Sequence, residues 1–409
     1  MAVATVSERT TPLRAALGRV RRRATLISLA MLAPLLVMTG LLFVAPLANM
    51  LFRSIDNGEV SKAFPTTVET LRSWTDAPLP DEAAFRALVF DVRAAALQDR
   101  SVLGNAARRL NLEVDGFRSL VLSAPNKFKT VTEPYKKTVI EADSRWGEPQ
   151  YWRALQRNAH KLTDFYFLSA FDLKRTADSS IVRTDEPIFL SIFVWSVLMG
   201  AIVTALCLVI AYPLAHLLAV VSPRVSSVLM FFVLLPFWTS ILVRTSSWIV
   251  LLQREGPINQ LLQWSGLINA PMTLLFNRIG VIIAMVHVML PFMVLPLYSV
   301  MRGVNPNLMR AAYSMGAHAV TAFRRVYLPQ TYAGIGAGVT LVFILTIGYY
   351  ITPQLIGAPQ DQLISGVIAS YTSEYLNWGL SSALSAILLI VILALFASLR
   401  RFIVIGKAH

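Results

Sequence analysis

Side chains able to do proton, metal or nucleophile chemistry are few in this 409-residue chain and widely scattered. Cys207 is the only cysteine, so there is no disulfide framework and no metal-ligand cluster of Cys and His. The carboxylates lack the spacing of metal ligation or of a paired acid and base, and His160 is the one histidine that shares their region. No Gly-x-x-x-x-Gly-Lys-Ser/Thr phosphate loop occurs, so any nucleotide site belongs to a partner. Neither catalysis nor a cofactor, metal included, is expected of this chain.

What must position the remaining polar groups is a membrane. Hydrophobic residues make up 55% of the sequence, charged residues only 15%, and mean hydropathy is +0.58. A spanning helix needs about 20 apolar residues. Stretches 25–48, 188–217, 226–243, 279–301, 334–356 and 380–399 meet or approach that, which predicts six spans. Pro236 interrupts the third, and an apolar run resumes at 248–252, so a broken or tilted helix is expected there. The first stretch is longer than a secretory signal core and lacks an obvious cleavage site, hence a retained anchor (25–52) behind a basic segment 1–24.

The formal charge of +14 follows from topology and calls for no nucleic-acid partner. With the N-terminus inside, Arg9, Arg14, Arg19, Arg21, Arg22, Arg23, Arg224, Arg302, Arg310, Arg324, Arg325, Arg400, Arg401 and Lys407 all face the cytoplasm, opposed only by Glu8. That asymmetry obeys the positive-inside rule and places both termini, including tail 401–409, in the cytoplasm. Residues 53–186 hold 20 of the 37 basic and 19 of the 23 acidic residues and read as a folded extracytoplasmic insertion. Apolar residues Phe85, Leu88, Val89, Val92, Ala96 and Leu97 recur at helical spacing over 80–97, and a second helical pattern covers 151–171. The insertion would serve as a platform for a partner or as a cap that stabilises the outer face.

Within the five-span core 187–400, the cytoplasmic loop 302–333 is the most informative segment. Pro306 suits a first helical turn, Ala311 and Ala312 allow close approach, and Gly316, followed by Ala317, frees the backbone to turn. Phe323 and Leu328 supply apolar knobs. Pro329 is expected to end the segment and re-aim the chain into a fifth span whose Gly334, Gly336 and Gly338 permit close packing.

At these residues the chain resembles permeases of ATP-binding-cassette importers, with their Glu-Ala-Ala, three residues, Gly, about nine residues, apolar-x-Leu-Pro signature. Ala311, Ala312, Gly316, Val326, Leu328 and Pro329 fall in register, and Arg310 stands where the family has glutamate. Segments 234–245 (Leu-Leu-Pro-Phe-Trp-Thr-Ser-Ile-Leu-Val-Arg-Thr), 290–299 (Leu-Pro-Phe-Met-Val-Leu-Pro-Leu-Tyr-Ser) and 348–357 (Gly-Tyr-Tyr-Ile-Thr-Pro-Gln-Leu-Ile-Gly) resemble the spermidine/putrescine branch. The resemblance implies an all-α, six-span, type I permease subunit in a bacterial cytoplasmic membrane, coupled through 308–329 to two ATPase subunits that carry ATP and Mg. A second, different permease and an extracytoplasmic solute-binding protein are further implied partners, with membrane lipid as solvent. The implied cargo is a small polar solute of polyamine, opine or amino-compound type, although Tyr349 and Gln354 stand where spermidine-type permeases tend to place acids.

Trp238, Thr239, Tyr349, Tyr350 and Thr352 fall near outer span ends, where they would line the path or merely form an interfacial belt. His287 is the main ionisable group inside a span, either a solute or proton contact or a histidine bonded between helices. The spans hold no carboxylate, which disfavours an ion-coupled secondary carrier; a membrane-anchored receptor or scaffold is the other alternative.

Overall fold

The computed structural model describes residues 25, 27–75, 78–176 and 180–405; the basic segment 1–24 and positions 406–409 of the expected tail lie outside the described residues. Among the described residues five helices are long and apolar enough to cross a membrane: Ile27–Arg53, Phe189–Val220, Arg278–Arg302, Ala319–Gly348 and Trp378–Ser398. A sixth span arises if Pro223–Trp238 and Ile241–Trp264, bent by 100° at their junction, act as one. The break follows from Pro236, which offers no N–H, and from Ser240, whose hydroxyl accepts from Val243 N at 3.2 Å and starts a new helix. Ile27–Arg53 is a unit in its own right, with a π turn at Gly40–Val44.

Two span boundaries differ from the expected ones. The fifth helix starts at Ala319, well before 334, because the polar stretch around Arg324 and Arg325 is helical. It stops at Gly348, where Tyr349 turns extended, and 351–356 forms a separate short helix, Ile351–Ile356.

Small residues let the core spans approach. A Cβ on Gly200 of the second span would meet Ile347 and Phe343 of the fifth at 3.1 Å. On Gly334 it would meet Val300 and the Pro296 carbonyl of the fourth span at 3.1 and 3.2 Å, and on Gly338 the Met293 sulfur at 2.7 Å. Met199, Val203, Cys207, Met285, Met289 and Val342 fill the space between these three helices. Without a hydrophobic drive between helices in lipid, this close van der Waals fit holds the bundle.

The insertion between the first and second spans is helical, with one antiparallel hairpin, Leu173–Arg175 with Ile181–Arg183. Helix Glu82–Gln98 begins where Asp81 accepts from Ala84 N, close to its expected position. The expected 151–171 helix is instead two, Pro149–Arg157 and Phe165–Ala170. Between them the backbone pairs with the start of the insertion, Asn57 N donating to Lys161 O at 2.9 Å and Thr163 N to Ile55 O at 2.8 Å, and these bonds compete with a continuous helix. Trp146 and Trp152, ring centroids 5.5 Å apart, sit fully buried with Phe85, Phe117 and Phe128.

Replacing Gly338 with Leu should force the fourth and fifth spans apart at a cost of about 1–3 kcal/mol, seen as a lowered thermal midpoint in detergent. In the insertion, hydrogen bonds from Arg145 and then Lys127 hold the Asp143 carboxyl well below the usual carboxylate range. The native state therefore favours its ionised form, and the stability it adds is full at neutral pH and lost as pH falls through that depressed pKa. Asp143→Asn should lower neutral-pH stability and flatten the acid limb of an unfolding-versus-pH curve.

Candidate functional site

The loop between the fourth and fifth spans is built around one turn. Helix Pro306–Ser314 starts where the Asn305 side chain accepts from Asn307 N, with proline at its first position. It ends in a left-handed residue, Gly316 at φ +82°. Gly316 N donates to Tyr313 O at 2.9 Å and Ala317 N to Ala312 O at 3.0 Å, the paired bonds of a Schellman stop. Ala312, Gly316 and Ala317 thus have a common job: they close the helix and turn the chain. Ala312 is buried in that closure, while Ala311 and Arg310 are exposed.

The return limb is bound to the second span. After the short helix Ala319–Ala322 comes a π turn, Phe323–Tyr327, and then the helix continues through Leu328 and Pro329. Pro329 therefore does not end the segment as expected; the widened turn before it accommodates the missing N–H. Phe323 is half-buried and packs edge-on to Tyr212, with Tyr327 stacked beside it at 5.6 Å, so it is an internal clamp rather than a free knob. His216 Nδ1 and Tyr327 Oη lie 2.9 Å apart, and Tyr212 Oη meets Thr331 Oγ1 at 3.1 Å. A cleft of about 870 Å³ opens beneath the turn, lined by His216, Arg302, Met309, Tyr313 and Phe323 among others. Exposed apolar groups here, with Leu308, include ones the sequence did not single out, Tyr313, Met315 (82% exposed) and Val320 (68%). Leu308–Gly316 spacing alone gave no sign of which face the short helix buries.

The expected path residues separate into three places. Trp238 and Thr239 flank the break in the third span, Trp238 packing on Phe231. Arg244 lies in helix Ile241–Leu252 and donates to the Pro236 and Thr239 carbonyls freed by the break. His287 of the fourth span accepts from Trp248 Nε1 at 3.3 Å, a bond between helices. Tyr349 and Tyr350 mark the end of the fifth span, and buried Thr352 donates to Tyr349 Oη at 3.2 Å. Arg244 and Trp248 were missed; the polar Thr-Ser pair after Pro236 was the available signal for a break needing such a donor. Among the described residues no group of three or more His, Cys, Asp or Glu is arranged to hold a metal ion.

The described residues thus form a multi-span helical bundle whose fourth and fifth spans are joined by a turn closed at Gly316. Residues 211–404 match the family model of the binding-protein-dependent transport system inner membrane component. The spermidine/putrescine transport system permease protein PotB of Escherichia coli (strain K12) is 35% identical over 209 residues, 51% of this chain and 76% of that protein. PotB of Haemophilus influenzae is 38% identical over 200 residues, 49% of this chain and 70% of that one. One chain of a bacterial alginate ABC transporter crystal structure aligns at a TM-score of 0.45 and 17% identity, covering 54% of this chain and 81% of its own. The chain belongs to the binding-protein-dependent inner membrane components and is the permease component of an ABC-type importer. Membership implies a solute-binding protein and an ATPase as partners. The family match leaves out the insertion.

Proposed function

We propose that this chain forms one half of an importer channel, paired with a second, different permease, and receives work from two ATPase subunits at the turn formed by 310–320. The observation that carries the proposal is the turn itself: a stop closed by Gly316, presenting Arg310, Tyr313, Met315 and Val320 outward and tied through Phe323 and Tyr327 to the second span. Such a turn is stiff enough to pass a push into the bundle. Arg310, with no ion pair among the described residues, would meet an acidic patch on the ATPase. ATP and Mg stay on those subunits. The excess of arginine in the sequence of this loop and of both chain ends supports a cytoplasmic side for them and an outer side for the insertion, where the solute-binding protein docks.

The solute is a small amino compound of the polyamine or opine kind. Support comes from PotB, a spermidine/putrescine permease by name. This half brings hydroxyls and aromatics, Thr239, Tyr349, Tyr350 and Thr352, and its five long apolar helices contain no Asp or Glu. Recognition of a cation's charge then falls to the solute-binding protein and to the other half of the channel.

Gly316→Val tests the docking role. A β-branched residue resists φ +82° by roughly 1–2 kcal/mol, so ATPase copurification should fall about tenfold and uptake with it. Normal assembly and uptake with Val at this position would sink the role assigned to the turn. For the solute, uptake of labelled spermidine by the assembled importer should be saturable and competed by putrescine; a lack of uptake by an assembly with normal ATPase activity would remove polyamines and leave the coupling role standing.

A further inference from the structure

The insertion is not hung on a linker. Its last helix, Phe165–Ala170, shares one hydrophobic core with the permease bundle: Tyr166 and Ala170 pack with Phe189, Phe343, Ile364 and Leu380. Tyr166 lies so flat on Gly379, at the start of the last span, that a Cβ there would sit 2.2 Å from the ring. The ring is buried, and Arg109 of the insertion stands 5.2 Å above it and 4.1 Å above Phe165. Burial pushes the Tyr166 phenol up to about 12, so it stays neutral throughout the physiological range.

A second grip lies next to the first. Asp172, 3% exposed and at φ +58°, turns its carboxylate onto the first turn of the second span. Ile188 N and Phe189 N donate to one oxygen at 2.9 and 3.0 Å, and Leu190 N to the other at 2.8 Å. Three of the four open N–H groups of a helix start are satisfied by one side chain, with a negative charge where the helix dipole favours it. The positive φ is uncommon for an aspartate, and the backbone on either side holds it, Asp172 O accepting from Thr184 N at 2.8 Å. The second span so gripped is Phe189–Val220, and near its other end His216 and Tyr212 hold the loop through Tyr327, Thr331 and Phe323.

We infer that Tyr166 and Asp172 are positioning residues that weld the insertion to the heads of the second and last spans, so that the insertion and these two spans move as one lever during transport. Load applied to the insertion reaches the loop along the second span, and a push on the loop returns by the same rod. The inference does not depend on which solute is carried.

The test uses the assembled importer with Cys207 replaced by Ala and spin labels at Leu97→Cys in the insertion and Tyr375→Cys before the last span, both exposed. Between the nucleotide-free and the ATP-vanadate-trapped states their separation should hold to within about 2 Å, as for a rigid body. A shift of more than about 5 Å in the otherwise native chain overturns the lever, and that reading needs no destabilising variant. In the unlabelled importer, Gly379→Ala and Asp172→Ala should leave basal ATPase activity in place and lower its stimulation by the solute-binding protein at least about fivefold. Tyr166→Ala should restore much of that stimulation to Gly379→Ala by making room for the added methyl. Full stimulation in both single variants, or a double variant no better than Gly379→Ala alone, counts against the weld.

Discussion

Hydrocarbon offers a broken helix no water, so every backbone N–H or C=O released inside the bundle must find a protein partner or cost several kcal/mol. The breaks in this molecule are placed where side chains can meet that demand. Arg244 covers the carbonyls opened at Pro236 and Thr239. Ser196 Oγ accepts from Ile364 N at 2.8 Å at the head of the helix Ile364–Ser373. Asp361, 1% exposed, accepts from Ala358 N and pairs with Arg278 at 2.8 Å, and that guanidinium lies over the Trp195 ring. A buried carboxylate is tolerable there because both a cation and a backbone donor face it.

The same requirement explains why the second span organises the rest. It is a 32-residue helix, about 48 Å long at 1.5 Å per residue. Asp172 satisfies its first turn, Gly200 admits the fifth span in its first half, and Tyr212 and His216 hold the loop near its end. These contacts fix the insertion and both ends of the fifth-span helix, Ala319–Gly348, to one stiff element. A loop built on Gly316 would be of little mechanical use if its return limb were free; the aromatic clamp removes that freedom.

The membrane class was legible because lipid imposes a strict composition over about 20 residues, and the sequence shows it at every long span. The break at Pro236 and the turn at Gly316 were legible too, each marked by a residue with a backbone property that few others share. Less visible was anything depending on distant partners. Phe323 read only as an apolar knob because its clamp, Tyr212 and His216, lies more than 100 residues upstream. The fifth span was drawn too short because Arg324 and Arg325 interrupt its hydropathy while the backbone stays helical. Asp172 carried no signal at all: the helix turn its carboxylate caps starts 16 residues on, across a hairpin.

The insertion illustrates why charge counts alone understate such a domain. Its near balance of acids and bases reads as a solvated surface, yet Arg109 is 2% exposed and forms an ion pair with Glu113, which also receives Arg157. Its remaining guanidinium nitrogen has no hydrogen-bond acceptor, so the aromatic faces of Phe165 and Tyr166 must offset part of its desolvation. Those same rings form the contact with Gly379 and the bundle. Arg109 therefore ties the interior of the insertion to the segment that joins the membrane core. A domain attached this way shares a packed core with the spans and does not hang from a linker.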